Sequence, residues 1–124
     1  MAEFAPTVTR LDDDVYLVIG YDVDGGEEIR DRALVAHLEY VEQQCDRYLV
    51  AGPLRNPGED ALIGSFFLVA ANDGDEARAI VSGDPYVKNG LYRELIVHSA
   101  TPAVGRLLGG VIWDSAQSLR DSMD

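Results

Sequence analysis

Cysteine is almost missing from this 124-residue chain, and basic residues are scarce. Cys45 is the only cysteine, so an intrachain disulfide and a cysteine cluster for zinc or iron–sulfur are excluded. On a helix it reads as a small buried apolar group rather than a nucleophile. Ten Lys+Arg stand against 22 Asp+Glu, a formal net charge of −12. Nucleic acid and anionic membranes both need phosphate neutralisation by basic side chains, so neither is expected as a partner. The ordinary meaning of the acidity is a solvated surface. No apolar run approaches the length of a membrane span. Near the start, Glu3 and Asp12-Asp13-Asp14 stand where a signal peptide would need basic residues and then an apolar core. The chain therefore reads as cytoplasmic. Phosphate loops, dinucleotide fingerprints and zinc spacings are missing too. His37 and His98 are separated by the whole domain and form no recognisable metal set. No cofactor is expected.

What is present reads as one domain with two appendages. Residues 1–14, with Pro6 and the aspartate run, look like an N-terminal arm, residues 15–100 like the domain, and 101–124 like a C-terminal extension. Val15–Tyr21 is apolar, β-branched and aromatic, hence a strand. Asp22–Gly26 lacks the ligand register of a calcium loop and reads as a turn. Glu27 to about Cys45 is a helix, with Glu27 and Glu28 at its positive end and Leu34, Leu38, Val41 and Cys45 on one face. Arg47–Leu54 is a strand closed by Pro53, and Ala61–Ala71 is the strand that pairs with it. Asp73-Gly-Asp-Glu76 has the shape of a capping box and opens a second helix. Asp84-Pro85 ends that helix, and Leu91–Val97 is a fourth strand.

The order β-α-β-β-α-β is the split βαβ, ferredoxin-like arrangement, an α+β fold with both helices on one face of an antiparallel sheet. Tyr16–Ile19 and Leu62–Ala70 are apolar on both parities, whereas a sheet with one wet face should alternate. A second copy packing sheet against sheet, a homodimer, would bury the face the helices leave. In the extension, Val104, Leu107, Leu108, Val111, Ile112 and Leu119 read either as one helix weakened by Gly109-Gly110 or as a short strand followed by a helix capped at Asp114 or Ser115.

The stretch from Ser82 to Val97 puts a carboxylate, Asp84, at the joint between helix and strand, because proline pushes the residue before it out of the α region. His37 borders the apolar stripe of the first helix. A lone histidine at such a place is ordinarily structural. Asp84 gives it a second reading, for the topology can bring the flank of the first helix to the end of the second.

Four segments, taken in order, resemble the YciI-like (YCII-related domain) family: Ala36-His37-Leu38, Ala51-Gly52-Pro53-Leu54, Ile63-Gly64-Ser65, and Asp84-Pro85-Tyr86-Val87 with Gly90-Leu91-Tyr92. The resemblance covers roughly Val15 to Val97, and departs at Val35, where the family often has proline. It implies a dimeric α-β barrel and a His/Asp pair, carried here by His37 and Asp84. Some members of the family are linked to cofactor-free elimination on chlorinated hydroquinone-type aromatics.

An aspartate beside an imidazole fixes its tautomer and equips it for general acid–base work. Arg32, Ser65, Tyr86 and Arg93 are the candidates for holding a small polar or anionic substrate. Ser65 lacks the elbow of a nucleophilic serine. Two readings follow: a proton-transfer enzyme performing elimination, isomerisation or dehydration on a small polar or aromatic molecule, or a non-catalytic dimeric module that binds a small ligand or a protein. A cofactor-free oxygenase on the same architecture is a third.

Overall fold

The structure, a computed structural model, describes residues 14–123. The chain runs β1 (Val15–Asp22), α1 (Gly26–Gln43), β2 (Tyr48–Arg55), β3 (Leu62–Ala70), α2 (Gly74–Ser82), α3 (Pro85–Lys88), β4 (Tyr92–Ala100), β5 (Val104–Gly105), β6 (Gly110–Val111) and α4 (Ala116–Ser122). β1 to β4 form one antiparallel sheet in the order β2-β3-β1-β4. This is the ferredoxin-like fold of the dimeric α-β barrels, as expected. The N-terminal arm lies outside the described residues except for Asp14, whose carbonyl accepts a hydrogen bond from Ala71 N at 3.0 Å.

Strand register divides the sheet into two faces. Val18 is level with Phe67 on β3 and Val97 on β4. Val18, Phe67 and Val69 are buried with Ala77 and Val81 of α2, and Tyr16, Leu95 and Val97 pack against them. Residues one step along each strand point the other way. Leu17, Ile19, Phe66, Leu68 and Ile96 therefore share the face away from the helices, and all are only partly buried.

Local chemistry explains the helix ends. Asp73 caps α2 by accepting from Glu76 N at 2.7 Å. The Glu76 side chain does not return to complete a capping box; it pairs with Arg47 and Asn72 instead. α1 stops at Gln43, so Cys45 lies in the following turn and is exposed, a correction to the buried helical position expected for it. The α1 stripe also departs from expectation. Leu34 and Leu38 are exposed, and the inward positions are Gly26 and Ala33, with Ile29 packed beside them. Arg30, His37 and Tyr40 carry polar groups to the same inner side, where they bond to Gly64, Asp84 and Ile80.

One close approach fixes the sheet beside α1. A Cβ on Gly64 would lie 2.3 Å from the Gly20 carbonyl oxygen, so β1 and β3 meet where no side chain fits.

The described residues fall into two compact units, one ending at Ala100 and the other starting at Thr101. Within the second, β5 and β6 form a small antiparallel pair, with Gly109 just before β6 and Gly110 its first residue, both at positive φ. Positive φ at both glycines is why a single helix does not form there. α4 follows, its N-terminus capped by Ser115 Oγ, which accepts from Ser118 N at 3.0 Å.

Candidate active site

Asp84 is fully buried and does two jobs at once. Its backbone is extended (φ −66°, ψ 133°), as a residue before proline must be, and it caps the single-turn helix α3, with Pro85 as the first helical residue. Its Oδ1 accepts from Tyr86 N at 2.9 Å. The same carboxylate meets His37 Nδ1 at 2.8 Å through Oδ1 and 2.7 Å through Oδ2. The turn expected at Asp84-Pro85 is thus a helical turn, and the aspartate and proline at its start are what signal it.

The carboxylate can only accept at His37 Nδ1, so that nitrogen carries a proton and neutral His37 presents an unprotonated Nε2. Tyr86 stacks on the imidazole with ring centroids 3.8 Å apart and planes within 8°. One edge and one face of the ring are therefore fixed. The His37 side chain keeps 16% exposure and lines a cleft.

Two residues before the expected Arg32, Arg30 points into the same region. Its Nε and Nη2 reach the two Asp22 carboxylate oxygens at 2.7 and 3.0 Å. Nη2 also donates to Gly64 O at 2.9 Å and Ser65 Oγ at 3.2 Å. Burial opposes the guanidinium charge, but the hydrogen bonds and charge of Asp22 more than offset it, and the Arg30 pKa is raised. Asp22 reaches this position at a shift of register in β1, between Tyr21 and Asp22. Such irregularities re-aim side chains next to sites. Tyr92 Oη completes the group, 2.8 Å from Ser65 Oγ.

A cleft of about 340 Å³ opens over these groups. α1 supplies one wall with Leu34, His37 and Leu38; Ala51-Gly52-Pro53 of β2 supplies the other; Ser65 and Phe67 form the floor. Of the residues expected from sequence, His37, Ser65 and Tyr86 line it, and Asp84 lies directly behind His37. Arg32 does not. Its side chain is 59% exposed and faces Glu28 at 3.8 Å. Arg93 also lies elsewhere, over the Tyr21 ring at 5.8 Å. Arg30, Asp22 and Tyr92 are the residues that sequence reasoning missed. Helical phase could have found the first: seven residues bring Arg30 to within about 20° of His37, whereas five leave Arg32 about 140° away.

The phenols around the cleft resist ionisation. Burial pushes Tyr92 up to about 12, and raises Tyr86 and Tyr40 as well. Because the folded-state pKa of Tyr92 lies above the ordinary value of 10.0, its contribution to stability is complete below about pH 10 and is lost as pH rises through about 12. Alkaline denaturant titrations should show stability falling across that window, and Tyr92→Phe should flatten the fall. An unchanged slope in the variant would assign the fall to other groups.

Among solved structures, the chain is similar to 5-chloro-2-hydroxyhydroquinone dehydrochlorinase (TftG) from Burkholderia phenoliruptrix AC1100, in complex with 2,5-dihydroxybenzoquinone. The two are 29% identical, with a TM-score of 0.64, over 74% of this chain and 96% of that one. No relative matches among curated proteins. The YCII-related domain matches residues 15–101, which take in every strand of the sheet and both halves of the His37–Asp84 pair. By that match, the chain belongs to the YCII-related domain family.

Proposed function

We propose that this protein is a cytoplasmic, cofactor-free enzyme that uses His37 and Asp84 for general acid–base chemistry on a small hydroxylated aromatic. The reaction type is elimination, isomerisation or dehydration. The observation that carries the proposal is the contact between His37 Nδ1 and a fully buried carboxylate, in a cleft large enough for a single ring. Nε2 takes a proton from the substrate and returns it, while Asp84 holds the tautomer and stabilises the imidazolium formed in between. TftG, a dehydrochlorinase with a dihydroxybenzoquinone bound, supports an aromatic substrate.

The charges favour a neutral ring over an anionic one. Arg30 is already paired with Asp22. A more open depression that shares Arg30, Leu34, Leu62 and Tyr86 with the cleft is edged by Glu27, Asp31 and Asp60. The protein acts as a homodimer in this reading, because Leu17, Ile19, Phe66, Leu68 and Ile96 offer a second copy an apolar sheet face.

The test is turnover by chelator-treated protein on a panel of hydroxylated aromatics, with and without a chlorine leaving group, followed by chloride release and ring absorbance. Release of chloride, or a change of ring absorbance that reports isomerisation or dehydration, is the expected result. Binding of a ring across the panel with no turnover of any member would replace the enzyme with the non-catalytic ligand-binding module.

A further inference from the structure

Ser65 Oγ has its two acceptor positions filled. Arg30 Nη2 lies 3.2 Å away and Tyr92 Oη 2.8 Å away. A guanidinium N–H can only donate. Between a phenol and an alcohol the phenol is the stronger acid and the better donor, and Tyr92 Oη has no other hydrogen-bond partner among the described residues. Both lone pairs of the serine are thereby taken. Its one hydrogen has no acceptor among the described residues, although Ser65 is only 6% exposed and lines the cleft with His37.

The donors are themselves held rigidly. Asp22 grips Arg30 through two hydrogen bonds. The Tyr92 ring sits so close over Gly20 that a Cβ there would come within 2.8 Å of two ring atoms. The donor atoms are thereby held where they meet Ser65 Oγ, and the greater acidity of the phenol sets the direction of the Tyr92 bond.

We infer that Ser65 is an obligate hydrogen-bond donor to whatever occupies the cleft, with Arg30 and Tyr92 as positioning residues that fix its polarity, and that the occupant presents an acceptor oxygen there. A carbonyl meets this requirement, as does a phenolic oxygen on which negative charge grows when a proton leaves the ring. Donors pre-aimed at such an oxygen act where charge develops and need no reorganisation. The inference deepens the proposed function and rests on it only in taking the cleft as the ligand site.

The test uses 4-hydroxyacetophenone as probe, with its affinity measured by calorimetry and its carbonyl stretch by infrared difference spectroscopy. In the wild-type protein the stretch should fall below its value in an apolar solvent. Ser65→Ala should return it to that value and weaken binding about tenfold. Tyr92→Phe, which keeps the Arg30 contact, should produce a smaller return and a loss of a few-fold. His37→Gln should leave the shifted band in place, so loss of the catalytic reading would not disturb this one. A wild-type protein that fails to bind the ketone overturns the inference. So do an unshifted band, a shift abolished by His37→Gln, or variants indistinguishable from wild type. If Ser65→Ala does not fold, Tyr92→Phe decides alone.

Discussion

Replacing His37 by glutamine is expected to slow turnover by about 10²–10⁴-fold, the usual value of a positioned general acid–base group. Glutamine keeps an N–H that can reach the Asp84 carboxylate, so the buried charge retains a partner. It offers no nitrogen that takes up a proton near neutral pH. The melting temperature and the mass in sedimentation should therefore match wild type while activity collapses. An active variant would remove His37 from the chemistry. A variant that unfolds instead would make the histidine structural, and a monomeric wild type would discard the sheet-to-sheet pairing.

Substitution at Asp84 should act mainly on the fold. Asp84→Ala removes a carboxylate with no solvent exposure and leaves Tyr86 N–H and His37 Nδ1–H without their acceptor. Each buried donor left without an acceptor costs about 1–3 kcal/mol. Urea unfolding should register it as a lower midpoint at an unchanged slope. Asp84→Asn separates the two jobs. Its amide oxygen can still cap α3, so most of the stability should return, while the charge that stabilises an imidazolium is gone and activity should stay low. Full activity in the asparagine variant would show that the charge at this position is dispensable.

These expectations mark where the sequence was readable. Short apolar, β-branched and aromatic runs, Gly and Pro punctuation and the Asp73 cap were enough for β1 to β4, for α1 and α2, and for their order. They were enough because each reports an interaction made within a few residues or across one layer of packing. The His37–Asp84 contact was legible for a different reason: ordered short motifs carried it, and the topology then brought the two elements together. Leu34 and Leu38 show where periodicity misleads. They form a clean stripe, yet the stripe walls a cleft rather than a core, since polar groups hold the inward positions of α1. Arg30 rather than Arg32 shares the side of α1 that carries His37, because seven residues return the helix to nearly the same angle and five do not. Asp22 and Tyr92 were beyond reach, as a register shift in β1 and a contact across the sheet set their roles.

The near-parallel stack of His37 on Tyr86 carries a consequence for proton traffic. With one edge anchored to a carboxylate and one face covered by a phenol ring, the imidazole cannot flip to exchange its nitrogens. Protons enter and leave through a single atom, and in its charged form the ring rests on the electron-rich face of an aromatic neighbour. A molecule lying in the cleft and covering that atom also closes the only exit. The proton lifted from it would then be held for return to that molecule or for its leaving group, and solvent could compete for it only after the product departs.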